Sequence, residues 1–88
     1  MNITCDNIHA HELIGLDTKI IDSNNPILIN KEDKIIYESK NMLFIKINNS
    51  MKKVPKSIVK LEFVIDDNKC IINGKDIIGK PEDRIRRL

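Results

Sequence analysis

The clearest strand pattern in this chain is the stretch Val59-Lys-Leu-Glu-Phe-Val-Ile-Asp-Asp-Asn-Lys-Cys-Ile-Ile72. Apolar residues stand at every second position from Val59 to Ile65, with Lys60 and Glu62 between the first of them, which predicts a strand with one buried face. The polar turn Asp66-Asp-Asn68 then predicts a hairpin that returns through Lys69–Ile72. We therefore expect a β-hairpin at the centre of the fold.

Apolar runs before and after this hairpin predict further strands, because the β-branched Ile that dominates them packs well on a pleated sheet. Polar turn residues separate these runs, and the predicted strands are 16–21, 34–38, 42–47 and 51–54. The dipeptide Asn73-Gly74 is a strong signal of a type I′ turn, and it predicts another short strand at Ile77-Ile78.

Each end of the chain predicts a short helix. Asp6 can cap a helix over residues 6–15, and Gly15 can end it. Pro81-Glu-Asp83 has the proline and the acidic first turn with which helices begin. We expect an all-β barrel, because closing the sheet removes edges that so short a chain cannot otherwise protect. The predicted single domain spans 1–88, with a helical segment at 1–15, a small antiparallel barrel of about six strands at 16–79, and a C-terminal helix at 80–88.

The composition is that of a globular protein, with 41% hydrophobic and 32% charged residues in 88. No apolar run approaches the ~20 residues of a membrane span. There are 15 Lys and Arg against 13 Asp and Glu, and the formal charge of +2 neither requires nor excludes a nucleic-acid partner. One Tyr, two Phe and no Trp are too few rings to bind single strands by stacking several bases. If RNA is the ligand, phosphate contacts and shape must supply most of the affinity.

The two cysteines, Cys5 and Cys70, are far apart in sequence and lie outside any Cys-x-x-Cys spacing. We interpret them as reduced thiols that pack as small apolar residues, which predicts a cytoplasmic protein. The first residues agree with that location, because they have neither the basic nor the apolar region of a secretory signal. A zinc site built from both cysteines with His9 and His11 matches no recurring spacing, so we expect this chain to bind no metal.

The sequence shows no pattern of catalytic residues. The pairs Asp66-Asp67 and Glu82-Asp83 could serve as acid–base carboxylates, but a turn and a helix N-terminus explain them better. No glycine-rich phosphate loop occurs, and a chain of this size has little room for a pocket beside its core. We therefore predict that this chain is not catalytic and binds no cofactor.

Basic residues form three clusters. The clusters are Lys52, Lys53 and Lys56 around Val54-Pro55, Lys40 beside Asn41 in a turn, and Lys80, Arg84, Arg86 and Arg87 at the C-terminus. Two or three clusters on one face of the barrel would make a surface that binds phosphates. The alternative, equally open from composition, is that each cluster is a solvated loop or a helix end.

Six motifs occur along the chain in a specific order. They are His11-Glu-Leu-Ile-Gly-Leu16, Ser23-Asn-Asn-Pro26, Lys34-Ile-Ile-Tyr-Glu-Ser-Lys-Asn41, Lys53-Val-Pro-Lys56, Asn73-Gly74 and Pro81-Glu-Asp-Arg84. Together they resemble the archaeal ribonuclease P protein component 1 family, the counterpart of a eukaryotic nuclear ribonuclease P subunit. One difference is that Asn30-Lys-Glu-Asp33 stands where the family usually carries glycines. Because Asn and Asp accept left-handed backbone best after Gly, we expect the bend to be kept.

The resemblance implies an Sm-like antiparallel barrel with helical extensions, in agreement with the strands predicted above. It implies a non-catalytic subunit of the ribonucleoprotein that removes 5′ leaders from precursor tRNA, in which the RNA subunit performs the metal-assisted hydrolysis with magnesium. The implied partners are the ribonuclease P RNA, a small zinc-ribbon subunit, the other ribonuclease P proteins, and precursor tRNA as the substrate of the holoenzyme.

The resemblance also implies two sets of site residues. The candidates for RNA contact are Lys40, Asn41, Lys53, Lys56, Lys80 and Arg84, to which we add the neighbouring Arg86 and Arg87. The candidates for contact with the zinc-ribbon subunit are Ile8, Leu13, Ile14 and the strand from Leu16 to Ile21. Two other functions remain open, namely a free-standing Sm-like RNA-binding ring and a protein-interaction barrel without a role in RNA.

Overall fold

The computed structural model describes residues 3–86, within which six strands form one sheet. The strands are β1 Asp17–Ser23, β2 Glu32–Glu38, β3 Met42–Ile47, β4 Ser50–Pro55, β5 Val59–Ile65 and β6 Asn68–Asn73. The helical elements are 3-10 helices at Ile8–Ala10, Pro26–Leu28, Lys56–Ile58 and Gly74–Ile77, and a short α-helix, α1, at Pro81–Ile85. Within residues 3–86 no helix is long and apolar enough to cross a membrane.

The six strands follow the order β4-β3-β2-β1-β5-β6, and every neighbouring pair runs antiparallel. All six contribute side chains to one buried apolar cluster, which includes Ile20, Ile35, Leu61 and Phe63. A single core shared by all six strands means that the sheet curls around its inner face, as a small barrel does. The predicted fold class is confirmed.

Two hairpins close through two-residue turns with left-handed backbone. Asn48 and Asn49, with φ of 51° and 64°, join β3 to β4, and Asp66 and Asp67, with φ of 50° and 65°, join β5 to β6. Two successive positive φ values are typical of the type I′ turn, whose twist matches that of the strands. Asn30 has a φ of 69°, which is the left-handed backbone that asparagine accepts more readily than most residues.

The helix predicted over residues 6–15 is wrong. The structure has only a 3-10 helix at Ile8–Ala10, after which His11 is extended, with φ of −108° and ψ of 159°. A segment of this length cannot hold an α-helix by local hydrogen bonds alone. The extended chain instead carries Leu13 into the core, where it and Ile8 are completely buried.

The type I′ turn predicted at Asn73-Gly74 is also wrong. The Asn73 side chain accepts a hydrogen bond from the backbone N of Lys75 and caps the 3-10 helix Gly74–Ile77, which replaces the strand predicted at Ile77-Ile78. A Cβ atom on Gly74 would lie 1.8 Å from the carbonyl oxygen of Lys56. The glycine therefore permits a close approach of two segments rather than a tight turn.

The prediction of two reduced thiols is corrected by a disulfide bond between Cys5 and Cys70. Their Cα atoms lie 5.5 Å apart, which suits a disulfide, although 65 residues separate them in sequence. The bond joins the N-terminal segment to β6. Spacing alone could not reveal it, because the pairing depends on how that segment folds back against the sheet.

A bulge in β2 changes which face of the sheet its last residues occupy. The pairing register with β3 shifts between Ile35 and Tyr37, which leaves Ile36 as an extra residue. Ile36 and Tyr37 are both exposed, whereas Glu38 is buried. Under regular alternation from the buried Ile35, Tyr37 would face the core and Glu38 would face solvent. The bulge therefore turns an aromatic ring outward and a carboxylate inward.

Candidate nucleic-acid interface

The end of β2 contributes to a buried group of three charged side chains, Glu38, Lys56 and Arg84, which we call the charged cluster. Nζ of Lys56 lies 2.7 Å from Oε2 of Glu38, as an ion pair rather than an aligned hydrogen bond. Nη2 of Arg84 donates to Oε1 of the same carboxylate. All three side chains are completely buried. One carboxylate thus pairs with two buried cations, and backbone carbonyl groups also accept hydrogen bonds from both of them.

Lys56 holds the turn between β2 and β3 through the carbonyl oxygens of that turn. Its Nζ donates to the carbonyl groups of Ser39 at 2.8 Å and Lys40 at 3.3 Å. Its backbone N donates to the carbonyl group of Asn41 at 2.9 Å. The three carbonyl groups of the turn therefore face the protein, while the side chains of Lys40 and Asn41 are exposed. Nζ also donates to the carbonyl group of Gly79 at 3.0 Å, which adds the segment before α1.

Arg84 connects the N-terminal segment to the same carboxylate. Its Nη1 donates to the carbonyl groups of His9 and His11, both at 3.0 Å, and its Nε donates to that of Gly79 at 3.2 Å. The backbone N of Leu13 donates to Oε1 of Glu38 at 3.4 Å. These bonds satisfy main-chain groups that would otherwise be buried without partners where the N-terminal segment packs against α1.

This placement corrects the prediction that Lys56 and Arg84 contact RNA. Their charged ends are enclosed by the protein and donate to backbone carbonyl groups and to Glu38, so a phosphate could reach them only by disrupting the cluster. Sequence reasoning favours the surface for both, because Lys and Arg are almost never fully buried unless they are paired. The carboxylate that pairs with Arg84 lies 46 residues away, and no local pattern reveals it.

The exposed candidates Lys40, Asn41 and Lys80 come together beside the charged cluster, and we call these three residues the turn surface. The backbone N of Gly79 donates to the carbonyl group of Lys40 at 2.8 Å, so the turn after β2 lies against the segment that leads into α1. Lys80 follows directly and is exposed, as are Lys40 and Asn41. The turn surface offers two ammonium groups and one amide, which suit a phosphate and a sugar or base edge.

A segment without acidic residues contains the turn from which this surface is built. From Ser39 to Leu61 the chain has no Asp or Glu but has lysines at positions 40, 46, 52, 53, 56 and 60. All of these lysines except Lys56 are exposed. The net charge of +2 conceals this segregation, because the other residues of the chain hold nine basic against 13 acidic side chains. Counting charge in windows along the sequence would have found it.

The remaining predicted RNA contacts are less closely grouped. Lys53 is exposed on β4, and Arg86 is exposed directly after α1. Arg87 lies outside the residues that the structure describes.

The predicted partner surface divides into core and surface residues. Ile8 and Leu13 are completely buried within the chain, so the prediction that they contact a partner is corrected. Ile14 is 38% exposed, and Leu16 and Ile21 are half-buried. These three residues therefore retain apolar surface for a partner.

Metal-ligating side chains are not grouped in the described part of the chain. Among residues 3–86, no three or more His, Cys, Asp or Glu lie close enough together to hold a metal ion. The two cysteines of the zinc alternative are joined in the disulfide.

Comparisons with known proteins agree on one family. Residues 6–87 match the family described as ribonuclease P/MRP, subunit p29. The chain is 45% identical over 83 residues to ribonuclease P protein component 1 of Nitrosopumilus maritimus, covering 94% of each chain. It is 39% identical over 87 residues to the protein of the same name from Methanococcus aeolicus, covering 97% of this chain and 91% of that one. A solved structure described as Mth11, a homologue of human RNase P protein Rpp29, is similar with a TM-score of 0.58 and 30% identity, over 85% of this chain and 99% of that one.

Proposed function

Because this chain belongs to the ribonuclease P/MRP subunit p29 family, we propose that it is a protein subunit of an archaeal-type ribonuclease P, which removes 5′ leaders from precursor tRNA. Its relatives along nearly the whole chain carry the name ribonuclease P protein component 1, which supports this role. In this proposal the chain binds and stabilises the catalytic RNA.

The observation that carries the proposal of RNA binding is the distribution of charge. The segment from Ser39 to Leu61 is free of acidic residues, and its exposed lysines at positions 40, 46, 52 and 53 can neutralise phosphates, whereas Lys60 lies opposite Asp22 of β1. Lys80 lies outside that segment in the sequence, but on the turn surface it is close to Lys40 and contributes another ammonium group. Asn41 can donate and accept hydrogen bonds, so it suits a sugar or base edge next to the neutralised phosphates.

The proposal assigns no catalytic residue to this chain. The carboxylates that come closest to an acid–base pair in the sequence, Asp66 and Asp67, form the β5–β6 turn. Glu38 is engaged with two cations inside the protein. These structural roles support a division in which the RNA subunit performs the hydrolysis with magnesium, while this chain supplies positive charge and shape.

We also propose that the zinc-ribbon subunit of ribonuclease P binds this chain through Ile14, Leu16 and Ile21. These side chains keep exposed apolar surface at the start of β1 and along it. The other ribonuclease P proteins and the precursor tRNA would then meet this chain as parts of the assembled particle.

An omission assay tests the proposed function. The ribonuclease P RNA is reconstituted with its protein partners, with and without this chain, and 5′-leader removal from a precursor tRNA is followed at low magnesium. We expect activity to fall when the chain is omitted, and we expect the chain alone to cleave nothing. Activity that is indifferent to the chain would overturn the proposal. Cleavage by the purified chain without RNA would overturn its non-catalytic part.

A further inference from the structure

Three side chains form a row across the outer face of the sheet, namely Tyr37 on β2, Phe44 on β3 and Lys53 on β4. Phe44 is the register partner of Tyr37 on one side and of Lys53 on the other. The rings of Tyr37 and Phe44 have centroids 5.4 Å apart and meet edge to face at 60°. Nζ of Lys53 lies 6.0 Å from the centroid of the Phe44 ring. The row thus presents an aromatic ring and an ammonium group on one surface.

The bulge in β2 is what places Tyr37 in this row. Without the extra residue Ile36, the alternation along the strand would direct the ring of Tyr37 into the core. The core is filled instead by the third aromatic residue, Phe63, and by aliphatic side chains. Two of the three aromatic rings of the chain therefore lie on the outer face, where they do not contribute to the core.

The row lies within an exposed apolar surface that covers three adjacent strands. Tyr37 is 56% exposed, its neighbour Ile36 is 43% exposed, and Met51 on β4 is 62% exposed. Apolar side chains that are exposed together on adjacent strands are candidates for a binding surface. A ligand that covers it must have an apolar face of its own.

The charges around the row indicate that the ligand is an anion. β3, β4 and the turn between them contain three lysines, Lys46, Lys52 and Lys53, and no acidic residue. Lys46 pairs in register with Met51, and Lys53 with Phe44, so ammonium groups border the apolar surface. A nucleotide combines a flat base, which stacks on an aromatic ring, with a phosphate that pairs with an ammonium group. An acidic protein segment would pair with the lysines but has no flat base to stack on the exposed ring of Tyr37.

We propose that Tyr37, Phe44 and Lys53 bind one unpaired nucleotide of a single-stranded RNA segment, with the base stacked on Tyr37 and its phosphate at Lys53. The nucleotide must be unpaired, because the faces of a base within a duplex are covered by its neighbours. Phe44 lies between the two, in contact with the Tyr37 ring and with the Lys53 ammonium group over its own ring. This inference rests on the proposed function, to which it adds one site and the kind of RNA that the site takes.

The test uses the fact that Tyr37 is the only tyrosine of a chain without tryptophan, so intrinsic fluorescence reports on this site alone. The full chain is titrated with a short oligouridylate and, separately, with a blunt RNA duplex of the same length. We expect the single strand to quench the tyrosine fluorescence, because a stacked base would cover the ring. We expect the duplex to leave it unchanged, even where the duplex binds through its phosphates.

Three variants separate the ring from the rest of the surface. The affinity of each for end-labelled oligouridylate is measured by fluorescence anisotropy, after circular dichroism has shown that the variant is folded. Tyr37→Ala should weaken binding on the order of tenfold, whereas Tyr37→Phe keeps the stacking face and should stay within roughly twofold of the unmodified chain. Lys40→Ala, on the turn surface, should weaken binding of both RNAs yet leave the quenching at saturation intact.

The outcomes distinguish this site from the proposed function. Salt-sensitive binding of both RNAs, with no quenching and no effect of Tyr37→Ala, would overturn the site and leave the proposed function standing. Quenching only when the zinc-ribbon protein is added would also overturn the site, because the face would then be a protein interface. An absence of RNA binding at any salt concentration would overturn both the site and the proposal of RNA binding. The omission assay, which measures 5′-leader removal with and without this chain, tests the proposed function independently of the Tyr37 site.

Discussion

Oε2 of Glu38 lies 2.7 Å from Nζ of Lys56, and solvent reaches neither side chain. A buried ion pair contributes little net stability compared with apolar residues of similar volume, but removing one partner leaves the other charge unpaired and without water. Here one carboxylate serves two cations, so its loss would leave Lys56 and Arg84 both charged inside the protein. The N-terminal segment, the turn after β2 and the segment before α1 are all hydrogen-bonded to one of the two cations that this carboxylate pairs with.

Replacing Glu38 with glutamine therefore tests the charged cluster directly. Glu38→Gln keeps the shape of the side chain but removes the negative charge, and we expect the free energy of unfolding to fall by about 3–5 kcal/mol. The measurement is urea denaturation followed by circular dichroism. Glu32→Gln on the same strand is the matched control, since Glu32 is exposed, and it should change the free energy by less than about 0.5 kcal/mol. Similar small losses in both variants would show that the cluster is not charged as described.

Gly74 tests the close approach between the segments that follow β4 and β6. In Gly74→Ala the new methyl group would meet the carbonyl oxygen of Lys56 at 1.8 Å and that of Val59 at 2.9 Å, and backbone atoms cannot move aside as a flexible side chain can. We expect a loss of about 3 kcal/mol or more in the free energy of unfolding. Gly15→Ala is the control, because within residues 3–86 no neighbouring atom lies within 4 Å of the added Cβ. Its φ of +91° opposes the substitution, at a cost of about 1–2 kcal/mol. A smaller loss at Gly74 than at Gly15 would contradict the packing described.

The disulfide between Cys5 and Cys70 predicts a dependence of stability on reductant. Closing a loop between residues 65 apart should restrict the unfolded chain, so reduction should lower the free energy of unfolding by about 2–4 kcal/mol. Denaturation curves with and without dithiothreitol measure this difference. Cys5→Ala cannot form the bond, and its curves should coincide with and without reductant. A count of two free thiols in the chain purified without reductant would refute the bond.

Two strands follow from the sequence alone because their pattern is local. β3 and β5 have the predicted bounds, 42–47 and 59–65, since each has apolar residues at every second position, and these residues share the buried face of the sheet. The bulge in β2 could not be predicted in the same way. It arises from pairing with β3, and no residue near Ile36 requires it, yet it decides that Tyr37 faces outward and Glu38 inward.

The sequence predicts correctly which polar turn residues of the candidate site are exposed. It does not predict which basic residues are buried by pairing with a carboxylate far away in the sequence. Lys40, Asn41 and Lys80 are polar residues of turns, and the structure leaves them at the surface. Lys56 and Arg84 cannot be told apart from the exposed basic residues by their sequence context, but both are buried because they pair with the inward-facing carboxylate of Glu38. The position of a basic residue near a turn therefore does not indicate whether its side chain is exposed to solvent or paired with a buried carboxylate.

The exposed lysines predict a measurable salt dependence of RNA binding. Each phosphate that a lysine neutralises releases counterions, so the slope of log affinity against log salt should become shallower by roughly 0.7–0.9 when one such lysine is removed. We expect this change in Lys40→Ala on the turn surface and in Lys53→Ala on β4, measured with the ribonuclease P RNA at several salt concentrations.

Lys69→Ala is the matched control for this experiment. Lys69 is an exposed lysine on β6, the strand at the opposite edge of the sheet from β4, and it lies outside the acid-free segment. Its removal lowers the net charge by the same amount but should leave the slope unchanged if the contacts are local. An equal change of slope in all three variants would mean that RNA senses only the overall charge of the protein. An unchanged slope in Lys40→Ala or Lys53→Ala would remove that residue from the interface.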